Sequence, residues 1–244
     1  MEHYGLIGKR LGHSFSQRYF SAKFEQEAID ASYALIELEN ISSIVDVVRG
    51  DSSLKGLNIT IPYKESVINY LDEVSPEASA IGAVNCIAIN RGKMVGYNTD
   101  VEGIRATLRE FQLEANTEAL ILGSGGASKA VAYVLRELEI PHMVVSRNEE
   151  KGDVTYTKLT HELIESHKLI INTTPLGMHP NVATEPDIDY TALGPRHKVF
   201  DLVYNPSPTL FMSRAEKRGA QVIGGMLMLE VQAQASWRIW QESM

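Results

Sequence analysis

The feature that most restricts the fold of this chain is an apolar run, Ala119-Leu120-Ile121-Leu122. It feeds directly into Gly123-Ser124-Gly125-Gly126-Ala127-Ser128 and then into a helical period from Ala127 to Leu138. A short unbroken apolar run closed by glycine reads as a strand buried on both faces, and such strands belong to parallel sheets covered by helices. Glycines at a strand-to-helix turn let the backbone approach a pyrophosphate, which then sits on the helix N-terminus. Ser128 stands where the usual fingerprint has its third glycine, so the same turn also reads as a plain tight connection. The order of strand, turn and helix favours the dinucleotide site.

The rhythm extends in both directions. Residues 2–8, 31–37 and 57–61 read as strands, and 16–29 and 41–49 as helices. Pro62 ends the third ladder and puts Lys64 just past a carboxyl end, where open α/β sheets collect their ligands. Ser75-Pro76-Glu77 signals a helix start. Residues 85–90 and 93–97 read as a hairpin turning at Asn90-Arg91-Gly92. A helical period over 101–113 leads into a second domain, with strands at 141–145, 169–172 and 198–203 and a last helix at about 226–240. Alternating strands and helices predict an α/β fold with parallel sheets.

Composition excludes several classes. No run reaches the ~18 apolar residues that a membrane helix requires, and Met1 to Gly8 lacks the basic and hydrophobic regions of a secretory leader. Cys86 is the single cysteine, which suits a reducing cytoplasm and rules out an internal disulfide framework. A net charge of −8, from 31 acidic and 23 basic residues, argues against a broad nucleic-acid surface. None of the seven histidines has metal-ligand spacing with Cys, Asp or Glu, so no metal is expected.

The chemistry-bearing residues cluster at strand ends. Lys64 can donate a proton to a developing alkoxide, and Asp100 can orient that ammonium and accept from a substrate hydroxyl. Thr60 and Asn85 accompany them. Taken singly, each charge also reads as a solvated surface group. Ser14 and Ser16 precede or open a helix, where Ser16 is a plausible N-cap, or both hydroxyls donate to a substrate carboxylate with help from the helix dipole. His13 before them reads equally well as a residue that orients the loop. The strand after the glycine-rich helix ends at Ser146-Arg147-Asn148. An acid there would suit the ribose of NAD, whereas Arg147 offers a fork for a 2′-phosphate. The loops after Asn172 and Asp201, and Gly224-Gly225 before the last helix, read as cofactor-lining or as ordinary turns.

In order along nearly the full chain stand His-Ser-x-Ser, Asn-x-Thr-x-Pro-x-Lys, Gly-Ala-Val-Asn, Asn-Thr-Asp, the glycine-rich turn, Asn-x-Thr-x-x-Gly-Met, Asp-x-x-Tyr-x-Pro and a late Met-Leu-x-x-Gln. This combination resembles the shikimate dehydrogenase family. The resemblance implies an N-terminal αβα substrate domain, 1–100 rejoined by 226–244, and a Rossmann-like NADP-binding domain over 101–225. It implies NADP(H)-dependent reduction of 3-dehydroshikimate to shikimate by a cytoplasmic monomer or homodimer. Lys64 and Asp100 would form the catalytic pair, with Ser14, Ser16, Thr60, Asn85, Tyr204 and Gln232 binding substrate. Gly123, Ser124, Gly125, Gly126, Ala127, Ser128, Ser146, Arg147, Asn148, Thr173, Leu202 and Gly225 would contact the cofactor.

Three departures from the family pattern stand out. Ser146-Arg147-Asn148 replaces Asn-Arg-Thr, keeping the arginine. Too little chain separates Asn148 from Leu169 for the usual helix, strand and helix, so one helix is expected to be missing, with Lys151–Thr155 as a shortcut. Cys86 and Gln17 replace a threonine and a proline. Two other readings are an NAD-accepting quinate/shikimate dehydrogenase, which the missing acid at 146–148 disfavours, and a non-catalytic quinate or shikimate sensor. Intact Lys64 and Asp100 count against the sensor.

Overall fold

The computed structural model describes residues 1–12 and 14–243; His13 and Met244 lie outside the described residues. The chain forms two compact units, Met1–Thr99 with Gln232–Met244, and Asp100–Val231. The first contains β1 (Glu2–Gly8), α1 (Phe15–Gln26), β2 (Ala31–Glu37), α2 (Ile44–Gly50), β3 (Leu54–Ile59), β4 (Glu73–Val74), α3 (Pro76–Ile81), β5 (Cys86–Asn90) and β6 (Lys93–Tyr97). The second contains α4 (Asp100–Arg109), β7 (Ala119–Leu122), α5 (Gly126–Glu137), β8 (His142–Ser146), β9 (Val154–Thr155), α6 (His161–Ser166), β10 (Leu169–Asn172), β11 (Lys198–Asp201), α7 (Leu210–Glu216) and β12 (Gln221–Gly224). The last helix, α8 (Met226–Glu242), returns the chain to the first unit from Gln232 onward. Among the described residues, no helix is long and apolar enough to cross a membrane.

Several boundaries differ from those the sequence suggests, each for a local reason. Helix α1 begins one residue early with Ser14 as N-cap, and Ser16 lies inside its first turn. It closes at Gln26 because Ala28 turns left-handed (φ 53°) and the Ile29 N–H reaches back to the Phe24 carbonyl at 2.9 Å. Strand β3 runs from Leu54 and stops at Ile59, because the Tyr63 N–H folds back onto the Thr60 carbonyl at 2.9 Å. Helix α4 stops at Arg109 rather than near Leu113, with Gln112 left-handed (φ 48°) just beyond. Between β8 and β10 the expected shortening takes a definite form. A single 3-10 turn at Glu149–Lys151 stands in place of the first helix, while β9 and α6 are retained.

In the first unit a six-stranded mixed sheet runs β2-β1-β3-β5-β6-β4. Strands β1, β2 and β3 are mutually parallel, while β5 runs antiparallel to β3 and to β6. Alternation along β1 separates two cores. Ile7 joins Ile44, Leu57, Ile59, Val67 and Ile87 on the α2 face. Tyr4 and Leu6 join Phe20, Phe24, Tyr33 and Trp240 on the face covered by α1 and α8. Trp240 is fully buried and donates its indole N–H to the Ile87 carbonyl at 3.0 Å. Its ring lies so close to the sheet that a Cβ on Gly56 would stand 2.2 Å from its Nε1.

The second unit carries a wholly parallel sheet in the order β12-β11-β10-β7-β8-β9. Read from the other edge the strands give the doubly wound order, with the strand order reversing between β7 and β10. Leu120, Leu122, Ile170 and Val199 pack with Ile164 and Phe211 on the α6–α7 face. Ala119, Ile121, Ile171 and Phe200, on the alternate positions, are also buried. Both faces of this sheet are therefore apolar, as a parallel sheet requires.

Replacing Gly56 with Ala should drive the methyl into the Trp240 ring and lower unfolding free energy by about 1–3 kcal/mol. Denaturant unfolding checks this, with the indole fluorescence reporting the displaced ring.

Candidate active site

The first unit buries an unusual amount of polar side chain at one end of its sheet. Ser14, Ser16, Asn58, Asn85, Thr99, Gln232 and Ser236 are all buried. Buried polar groups must be hydrogen-bonded to persist, and their partners trace a continuous chain. The Tyr33 hydroxyl donates to Asn58 Oδ1 at 2.8 Å. Asn58 Nδ2 donates to Ser236 Oγ at 2.9 Å and lies 3.3 Å from the Asn85 carbonyl. Ser236 and Thr99 hydroxyls lie 3.2 Å apart. Asn85 Oδ1 receives the Thr99 N–H at 2.6 Å and its hydroxyl at 3.2 Å, while Gln232 Oε1 stands 3.4 Å from the same hydroxyl.

Burial pushes the Tyr33 phenol well up, with a hydrogen bond from Ser16 opposing the shift. Ser16 thus belongs to this chain as a bonding partner and not as a helix cap. Ser14 caps α1 by its backbone alone and makes no side-chain cap bond. Thr60 follows β3, its N–H bonded to the Ile7 carbonyl at 2.9 Å. Lys64 sits half-buried in the turn between β3 and the 3-10 helix at Ser66–Tyr70, and its carbonyl receives the Val84 N–H at 2.7 Å. Cys86 is a core thiol, pushed up to about 12 by burial, with hydrogen bonds to Ser236 and Trp240 acting the other way.

The second unit holds the remaining candidates. Asp100 is buried and opens α4. Tyr204 is half-buried in the loop after β11. At the switch point, Gly123 follows β7 with φ 111°, a conformation open to glycine. A Cβ there would lie 2.7 Å from Thr173 Oγ1. Thr173 in turn closes the crevice by donating its hydroxyl to the Leu122 carbonyl at 2.8 Å. Gly125 caps α5 without a side-chain bond, and nothing lies within 4 Å of where its Cβ would be. The first N–H groups of α5 therefore open onto space that a pyrophosphate can fill, and the residues present fit a dinucleotide. Ser128 is buried inside α5.

Beside the turn, the Ser124 and Ser146 hydroxyls lie 3.0 Å apart, and Ser146 Oγ accepts the Asn148 N–H at 3.2 Å. Arg147 is exposed at the end of β8, near enough to Tyr156 to oppose the burial that pushes that phenol up to about 12. On the far side of the crevice, Asn172 Nδ2 donates to Asp201 Oδ1 at 2.9 Å, and the Val203 N–H reaches the same oxygen at 3.0 Å. Thr209 donates to Asp201 Oδ2 at 2.6 Å. These bonds hold the loop bearing Leu202, whose N–H meets the Asn172 carbonyl at 3.0 Å; the Gly225 N–H meets the Val203 carbonyl at 3.2 Å.

Sequence reasoning assigned no role to Tyr33, Asn58, Thr99, Ser236 or Asp201. Asn58, Thr99 and Asp201 lie inside motifs it singled out, so their polarity at apolar strand ends was a usable signal. Tyr33 hides in ordinary strand alternation. Ser236 had only its spacing of one helical turn from Gln232.

A mixed αβα unit followed by a doubly wound unit with an open glycine turn defines a dinucleotide-binding α/β protein. Residues 6–87 match the family model described as the shikimate dehydrogenase substrate binding domain. A shikimate dehydrogenase (NADP(+)) from Methanococcus maripaludis is 38% identical, the alignment covering 97% of this chain and 90% of the relative. Two solved structures share the fold across 99% of this chain and 94% of theirs. Shikimate 5-dehydrogenase from Thermus thermophilus in complex with NADP(H) and shikimate has a TM-score of 0.88 at 28% identity. Quinate dehydrogenase from Corynebacterium glutamicum in complex with NAD has 0.87 at 26%. The chain belongs to the shikimate dehydrogenase family.

Burial raises the Asp201 carboxyl to about 6, despite the donors from Thr209, Val203 and Asn172. A raised folded-state value favours the protonated acid, so this group's contribution is full below about pH 4 and is lost as pH rises through about 6. The unfolding free energy of the wild type relative to Asp201→Asn should therefore fall by up to about 3 kcal/mol between pH 4 and pH 7.5. Denaturant titrations at the two pH values, with the carboxyl followed by carbon NMR, check the sign.

Proposed function

We propose that this chain is an NADP-dependent shikimate dehydrogenase that reversibly reduces 3-dehydroshikimate to shikimate in aromatic amino-acid biosynthesis. The observation that carries the reading is near full-length kinship to NADP(+)-dependent shikimate dehydrogenases, joined to the presence of Lys64 and Asp100 in the ordered motifs. The absence of an acid over 146–148, with Arg147 exposed there, supports NADP over NAD. The single buried cysteine supports a cytoplasmic location, and the acidic balance supports action on a small molecule and not on nucleic acid; the resemblance to the family supports a monomer or homodimer.

NADPH, when bound, supplies hydride to the substrate's ketone carbon. The work of the protein is binding, orientation and proton management. Ser14 and Ser16 donate to the substrate carboxylate at the start of α1, where the helix dipole also favours an anion. Thr60, Asn85, Tyr204 and Gln232 bond the ring hydroxyls. Lys64 gives a proton from Nζ to the ketone oxygen as it becomes a hydroxyl, and takes it back in the reverse direction. Asp100 holds that ammonium in register and accepts from a neighbouring hydroxyl. The backbone from Gly123 through Gly126, Ala127 and Ser128, with Ser124, holds the pyrophosphate, and Ser146, Arg147 and Asn148 hold the phosphorylated ribose. Thr173, Leu202 and Gly225 line the reacting end. Positioning and charge stabilisation supply most of the rate.

The test is the absorbance assay of shikimate with NADP+ at alkaline pH, on the wild type and on Lys64→Ala. The wild type should turn over, and the variant should lose about 10²- to 10⁴-fold in kcat with a small change in shikimate affinity. Near-normal turnover by the variant would remove Lys64 from the chemistry, and an inactive wild type would remove the function.

A further inference from the structure

The buried chain in the first unit has a junction at Ser236, a fully buried serine on α8 one turn beyond Gln232. Its Oγ accepts from Asn58 Nδ2 at 2.9 Å, donates back to the Gln232 carbonyl at 2.9 Å, and stands 3.2 Å from Thr99 Oγ1. β3, the Asn98–Thr99 link after β6 and α8 therefore meet on one hydroxyl, with the Cys86 thiol of β5 beside it.

The chain also fixes amide orientations. A backbone N–H only donates, so the Asn85 atom 2.6 Å from the Thr99 N–H is the oxygen, and Nδ2 points the opposite way. The Thr99 hydroxyl has a single proton and three oxygens within reach: Asn85 Oδ1 at 3.2 Å, Ser236 Oγ at 3.2 Å and Gln232 Oε1 at 3.4 Å. Ser236 already spends its own proton on the Gln232 carbonyl, so it meets Thr99 as an acceptor. It thereby holds Thr99, whose backbone N–H fixes Asn85 Oδ1 and whose hydroxyl stands against Gln232 Oε1. Remove the Ser236 oxygen and Asn58 Nδ2 loses its shortest contact. The Thr99 proton loses one of its acceptors, and the α8 carbonyl above Gln232 loses its donor. Low local dielectric makes such linked bonds mutually reinforcing.

We propose that Ser236 is a positioning residue for the substrate site: its buried hydroxyl locks Thr99 to α8 and so sets how Asn85 and Gln232 present their amides to the hydroxyl groups of the substrate. This rests on the reading of Asn85 and Gln232 as substrate-binding groups. Ser236 itself acts through Thr99 and through the α8 backbone.

The experiment compares wild type with Ser236→Ala, Ser236→Thr and Ser236→Val for shikimate KM, NADP+ KM, kcat and melting temperature. Thr and Val have the same shape, so their difference isolates the hydroxyl. Loss of the junction should raise shikimate KM about five- to tenfold in Ala relative to wild type and in Val relative to Thr. NADP+ KM should stay within about twofold, because a general loosening of the fold would move both constants. Unchanged shikimate KM in Ala would overturn the proposal, as would parallel rises in both constants with a lower melting temperature. Failure of Ala and Val to fold while Thr folds would assign the hydroxyl to stability and overturn it too. If the methyl prevents both Thr and Val from folding, Ala against wild type decides alone. A wild type that does not oxidise shikimate would sink the functional reading and this proposal together, whereas unchanged KM in an active Ala variant sinks the proposal alone.

Discussion

A side-chain amide buried near the carboxyl end of a strand is costly unless every one of its polar atoms finds a partner. Asn58 is such a group, 4% exposed in β3. Its partners come from β2 through Tyr33, from the segment before β5 through the Asn85 carbonyl, and from α8 through Ser236. The first unit therefore depends on the return of the chain's last helix. Without Ser236 and Trp240, β3 would bury an amide short of a partner and carry a glycine, Gly56, facing an empty space where an indole now lies. The same bonds that hold α8 to the sheet end at Asn85 and Gln232. Fold and proposed substrate site thus share one polar junction.

The second unit solves a different problem with the same economy. A parallel sheet with helices on both faces leaves a crevice where strand order reverses. Here that crevice is bounded by Gly123 on one side and Thr173 on the other, tied by the Thr173 bond to Leu122. Asp201 organises the opposite wall, gathering Asn172, Val203 and Thr209 around a buried carboxyl. Burial of that acid makes the wall sensitive to its protonation, and the loop carrying Leu202 inherits the sensitivity.

Much of this was legible in the residues. The strand, turn and helix of 119–138 followed from apolar continuity and glycine placement, and the hairpin of 86–97 from its turn. The Asn-Arg-Gly turn there is realised with Arg91 and Gly92 both left-handed. The shortened link after β8 was visible as missing length. Other elements were not legible because their stabilisation is not local. Strands β4 and β9 have two residues each and exist through pairing with β6 and β8. Helix α7 spans one turn or two, and its signal is confined to the Thr209 cap, which accepts the Met212 N–H at 3.1 Å. Ser16 illustrates the limit at the site itself. Its position before a helix suggested a cap, and only tertiary structure brings the Tyr33 phenol to it.

The chemistry assigned to the chain requires one amine and one carboxylate to act on the same substrate oxygen and its neighbour. Lys64 and Asp100 arise from different compact units, so local geometry in either unit alone does not join them. A crystal structure of the complex with shikimate and NADP+ tests this most directly. The account predicts Lys64 Nζ and an Asp100 carboxylate oxygen each within about 3 Å of the ligand, one on the reacting hydroxyl. A ligand bound with either group turned away from it would contradict the account.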